Sequence, residues 1–137
     1  MVPALAPAHG PFATLVGVAG TVTSLAAMAL ALDTYDPARV HGSSLGRATL
    51  DAEIARLAGM TQAEREHIRG LDPRRADVIL AGALLLRAIL RRTGVDAVRV
   101  SDRGIRWGLY FERAAELDDA LGAGGLPPAG VEDSFRS

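Results

Sequence analysis

Two short stretches carry the residue types that could do chemistry: Gly17-Val18-Ala19-Gly20-Thr21 and Asp102-Arg103-Gly104. Glycines at such a turn let the backbone come close to an anion, while a threonine hydroxyl and the first amides of a following helix donate hydrogen bonds to it. A guanidinium such as that of Arg103 pairs with phosphate oxygens through two parallel bonds, and Asp102 is of the type that caps a helix. Gly17, Gly20, Thr21 and Arg103 are therefore the primary candidates for binding phosphate or a nucleotide; Thr23, His41, Gly82, Asp102 and Gly104 are weaker ones. By spacing alone the first stretch reads better as a plain strand-to-helix turn, since a single G-x-x-G is a weak signal. His41 is of the residue type able to contact a ligand or act as a titrating group, yet a loop histidine is more often a bystander. Gly82 interrupts an apolar helix at about 1 kcal/mol relative to alanine, which points to the close approach of another backbone or a ligand, with helix packing the leading alternative.

Both stretches must be held by elements around them, and each follows an apolar, strand-like run. In an open α/β sheet, ligands lie beyond the carboxyl ends of the strands, so the two turns are expected to face one ligand. Phe12 to Val18 reads as a strand buried on both faces, with a helix from about Val22 to Leu32. Asp33 to Ser44 holds Pro37, Gly42 and several turn formers and reads as a connecting loop. Leu50, Ile54 and Leu57 recur at helical spacing, and Thr61 with Glu64 makes a capping box that opens a short helix ending at Gly70. Asp72 followed by Pro73 starts the clearest helix, which Arg91, Arg92 and Gly94 end; Arg74 and Arg75 read as part of its solvated face. Its middle, Val78 to Leu86, is apolar on every side and predicts a core helix. Val95 to Ser101 reads as a second strand, and Ile105 to Leu117 as a helix whose Trp107, Leu109 and Phe111 are available for packing. Residues from Gly122 on are rich in glycine and proline and read as a mobile tail.

Composition narrows the function. A chain of 137 residues, 49% hydrophobic and 23% charged, has the makings of one domain with an ordinary core. A net charge of -1 leaves no electrostatic footprint for nucleic acid or an anionic lipid surface. All 15 basic residues are arginine, which excludes a P-loop lysine or a Schiff base and keeps anion-binding guanidinium groups. The absence of cysteine removes disulfides, thiolate metal sites and a thiol nucleophile, and fits a cytoplasmic location. His9 and His67 have no helical partner four residues away, so no metal site is indicated. The charge-free stretch Gly10 to Leu32 raises a membrane span or a signal peptide. Neither holds: His9 is the one basic group in the first ten residues, and Gly17, Gly20, Thr21, Thr23 and Ser24 are too many small polar residues for a span.

The blocks GVAGTVTSLAAMAL, LDTYDPARVHG, LDPRRADVILAGALLL and VSDRGIRWGL, in this order and spacing, resemble the exopolyphosphatase and guanosine pentaphosphatase (Ppx/GppA) family over about Leu15 to Glu112. The resemblance implies an α/β fold, part of the RNase H-like domain shared by actin, sugar kinases and the heat-shock ATPases. This chain would supply the last two parallel strands, with several helices. It would be the C-terminal half of the second domain: residues 12–117, preceded by a linker or helix end over 1–11 and followed by a flexible tail over 118–137. The implied chemistry is hydrolysis of a terminal phosphoanhydride of polyphosphate or guanosine pentaphosphate with Mg²⁺. The family's catalytic glutamate and its Asp-x-Gly-Gly-Gly-Ser loop have no counterpart here, so the isolated chain is expected to bind rather than catalyse. The resemblance shifts the odds at Gly17, Gly20 and Thr21 toward phosphate binding. Two rivals stay open: a truncated, non-catalytic nucleotide-binding or assembly module, and a sugar-kinase-like phosphotransferase. An incomplete sheet also implies a homo-oligomer or a complex with the missing N-terminal half.

Overall fold

The computed structural model describes residues 12–121, which form two units divided between Asp102 and Arg103. The readings of residues 1–11 and of Gly122 onward lie outside the described residues.

The first unit is built on a small mixed sheet. Strand β1 (Leu15–Val18) runs parallel to β3 (Ala97–Ser101), with Gly17 opposite Val100 and Val18 opposite Ser101. A third strand, β2 (Ser44–Gly46), pairs antiparallel with β3, giving the order β1-β3-β2. The expected two parallel strands are present, and the loop expected over Asp33 to Ser44 is more than a loop. Asp36 accepts from the Ala38 amide and opens a one-turn helix α2 (Pro37–Val40), after which Gly42 and Ser43 lead into β2 through hydrogen bonds with Val100.

Helix α1 (Gly20–Ala29) follows β1 directly, and its Leu25 and Ala27 are fully buried. Helix α3 (Arg47–Ala58) buries Leu50, Ile54 and Leu57, the three residues whose spacing predicted it. The Thr61–Glu64 capping box forms as read, opening a shorter helix, α4 (Gln62–Arg65). Asp72 and Pro73 start a 3₁₀ turn (Pro73–Arg75) rather than the α-helix itself; α5 begins only at Ile79 and runs to Thr93, where Gly94 stops it in the left-handed conformation. Short 3₁₀ turns are common at such entries. Arg47 joins three elements, donating from its guanidinium to the Leu90 and Val95 carbonyls at 2.9–3.1 Å. The Leu90 carbonyl also accepts from the Gly94 amide, so Arg47 ties the last turn of α5 to the segment that follows it.

Two burial expectations fail for one reason. Val16 and Val18 are each 48% exposed, so β1 is buried on one face only and its outer edge has no strand partner among the described residues. Helix α5 buries Ile79, Ala83, Leu86 and Leu90, while Val78 and Leu85 face outward at 55% and 65% exposure. An all-round apolar sequence buries only the sides that have neighbours, and these residues have neighbours on one side.

The second unit holds α6 (Ile105–Leu121), which runs past Leu117. Trp107, Tyr110 and Phe111 group their rings at centroid separations of 5.6–6.1 Å, yet Trp107 and Leu109 are about half exposed rather than packed away.

Candidate functional site

The site starts where β1 turns into α1. Ala19 sits at φ 69°, ψ 178°, a region that an L-residue occupies at a cost of about 1–3 kcal/mol. This lets the chain reverse within one residue and open α1 at Gly20. No side chain caps the helix, and its first turn carries no acid, so its leading amides present their partial positive charge at the carboxyl end of β1.

The glycines of the turn do different work. A Cβ on Gly17 would lie 2.7 Å from Val22 and 2.9 Å from Val98, so Gly17 lets α1 settle onto the sheet. A Cβ on Gly20 would fall inside the Arg75 guanidinium, 1.3 Å from one of its nitrogens. Gly20 thus makes room for a cation delivered by the 3₁₀ turn. Gly82 does the same for Thr21, whose methyl lies 2.4 Å from where a Cβ would be. Of the alternatives raised for Gly82, helix packing is the one observed.

Around this turn the structure gathers several predicted residues. The buried Thr23 turns its hydroxyl back to the Ala19 and Gly20 carbonyls at 3.3 and 3.4 Å, bracing the turn from below. Asp102, at the end of β3, accepts a hydrogen bond from the Tyr35 hydroxyl. His41 closes α2 and accepts from the Asp102 amide through Nδ1 at 3.3 Å, fixing the loop against the end of β3. Arg103 and Gly104 belong to the second unit, where the Arg103 guanidinium lies over the Trp107 ring, 5.6 Å from its centroid, and Gly104 accepts from the Trp107 amide.

Sequence reasoning missed Tyr35 and Arg75. Burial raises the Tyr35 phenol to about 12, helped by its bond to Asp102 and that carboxylate's charge, and opposed by the Thr23 hydroxyl and the positive charge of Arg75. Tyr35, Thr23, Arg75 and Asp102 therefore share one neighbourhood at the strand ends. Because the folded value lies above the ordinary 10.0, whatever stability Tyr35 gives is present below pH 10 and is lost as pH rises toward 12. Ultraviolet titration of a Tyr110→Phe chain should show the single remaining phenol, Tyr35, ionising near 12. Asp102→Asn should move that midpoint back toward 10, and an unmoved midpoint would break the link.

Metal and membrane readings gain nothing from the geometry. Among the described residues there is no group of three or more His, Asp or Glu that could hold a metal ion. No described helix is long and apolar enough to cross a membrane.

Known proteins with this architecture are informative about both fold and ancestry. The crystal structure of an Aquifex aeolicus Ppx/GppA protein superimposes with a TM-score of 0.75 at 33% identity, over 80% of this chain and 36% of that one. The crystal structure of the type II variant of the Aquifex aeolicus Ppx/GppA phosphatase gives 0.72 at 35% identity. The described fold is thus the α/β, actin-like fold of those proteins. Exopolyphosphatase 2 of Mycobacterium tuberculosis is 39% identical over 105 residues, 74% of this chain, and the chain spans 33% of that relative's length. The Ppx/GppA phosphatase family model matches residues 3–117, and with that coverage the chain belongs to the Ppx/GppA phosphatase family.

Proposed function

We propose that this chain is the C-terminal half of the second domain of a polyphosphate phosphohydrolase and presents its phosphate-binding turn, Gly17 to Thr21. One observation carries the reading: an uncapped helix N-terminus, set by the strained Ala19 turn, stands at the carboxyl end of β1 beside the end of parallel β3. In sheets of this kind that is where a ligand enters, and backbone amides aimed at one point suit a phosphoryl oxygen. The fit extends to guanosine pentaphosphate, which offers the same terminal phosphoanhydride. The water-activating carboxylate would come from outside this sequence, so positioning and charge stabilisation are what these residues contribute. A cytoplasmic setting accompanies this reading.

The isolated chain is then incomplete in structure as well as in chemistry. Among the described residues the outer edge of β1 has no strand partner; that edge is the seat for the preceding strand of the complete sheet, and an unpaired edge recruits another chain. The purified chain should release no phosphate from polyphosphate in the presence of Mg²⁺, and light scattering should find self-associated species. A dilute, cooperatively melting monomer would contradict the half-domain reading.

A further inference from the structure

Helix α5 carries two stripes on opposite sides. Ile79, Ala83, Leu86 and Leu90 are buried against the core, whereas Ala81, Leu84, Leu85, Ala88 and Arg92 are all exposed. At about 100° per residue these five fall within roughly 50° of one line along the helix, directly opposite the buried stripe. Asp77, exposed in the turn that leads into α5, extends that line at its start. The outer stripe reads the same in both directions. From Asp77 to Arg92 its steps are four, three, one, three and four residues, centred between Leu84 and Leu85. Alanine answers alanine about that centre, leucine answers leucine, and the acid Asp77 answers the base Arg92. A surface with this symmetry fits itself after a half-turn, which is the requirement of a two-fold interface. Among the described residues, neither Asp77 nor Arg92 takes part in an ion pair.

We infer that the outer face of α5 binds a second copy of this chain, the two helices lying antiparallel about a two-fold axis between Leu84 and Leu85. Ala81 then packs against Ala88 of the partner subunit, and Leu84 lies beside Leu84 of the partner subunit. Asp77 reaches Arg92 of the partner subunit, and the symmetry repeats that pair at the other end. Ala81 and Ala88 stand seven residues apart on the contact line, so the helices can approach at the short end of the usual separation of about 8–10 Å. A parallel pairing would set Asp77 against Asp77 and Arg92 against Arg92, so the charges select the antiparallel one. This face is separate from the edge of β1 and does not depend on the phosphate-binding reading.

The chain has no cysteine, so a single introduced thiol reports the contact cleanly. Full-length Leu84→Cys should form a disulfide-linked dimer under mild oxidation, because residues beside the axis bring their Cβ atoms within the roughly 4 Å that a disulfide spans. Gln62→Cys, exposed on α4, should stay uncrosslinked under the same conditions. Sedimentation of the full chain supplies the second arm. Asp77→Arg and Arg92→Asp should each raise the dimer dissociation constant by about threefold to thirtyfold, since each turns two attractive pairs repulsive, and the double reversal should restore most of the loss. A wild-type chain that is monomeric at about 100 µM would overturn the inference. So would a Leu84→Cys chain that does not crosslink, the result expected if copies associate through the β1 edge instead, or charge reversals whose losses add rather than cancel. Should a charge variant fail to fold by circular dichroism, the crosslink decides.

Discussion

Gly70→Ala should cost about 3 to 5 kcal/mol, enough to unfold much of the population of a domain whose whole stability is about 5–15 kcal/mol. Two terms add. Gly70 sits at φ +81°, which alanine tolerates poorly, and its added methyl would meet the backbone of α1 at 2.6 Å from the Ala27 carbonyl and 2.8 Å from the Met28 nitrogen. Neither neighbour is a flexible side-chain end that could swing aside, so α1 itself would have to shift, together with the turn at its start. Gly42→Ala separates the terms: Gly42 has φ +77° but nothing within 4 Å of a Cβ, so only the conformational cost of about 1 kcal/mol applies. Denaturant midpoints for both variants check this, and equal losses would show that the contact with α1 carries no weight.

Much of this fold could be read from local chemistry. The Thr61–Glu64 box, the left-handed stop at Gly94 and the stripe Leu50, Ile54, Leu57 each depend on residues within a few positions of one another and appear as expected, whereas the Asp72–Pro73 start opens a 3₁₀ turn in place of the α-helix. What escaped depends on distant partners. Strand β2 is three residues long in a segment rich in turn formers, and only the edge of β3, more than fifty residues later, makes it a strand. Apolar periodicity says which residues can be buried, not whether a neighbour exists, hence the exposed Val16, Val18 and Leu85.

The candidate site divides the same way. The turn Gly17 to Thr21 was legible because a strand, small residues and a helix follow one another in sequence. Arg75 was read as part of a solvated face, since nothing near it hints that it would reach back to Gly20. Its signal was Gly20 itself: a glycine at the first position of a helix asks what fills the space of the missing side chain. Tyr35 gave no such sign, as its partner Asp102 lies 67 residues away.

The second large effect concerns activity, and it tests the central claim that this chain supplies the phosphate-binding turn of a Ppx/GppA domain. Residues 12–117 exchanged for the matching segment of an active Ppx/GppA phosphatase would, on the proposed reading, gain a strand beside β1 and the family's catalytic carboxylate. Gly20→Val in that chimera would both push the Arg75 guanidinium off the turn and crowd the amides of α1. Removal of one preorganised donor to a developing oxyanion commonly costs about 10²–10³ in rate, so a loss of at least about a hundredfold is expected. The measurement is phosphate release from polyphosphate by the folded chimera with and without that substitution. The account predicts turnover within about tenfold of the parent enzyme and its near abolition by Gly20→Val; a folded chimera without turnover, or one whose rate is indifferent to Gly20→Val, would contradict it.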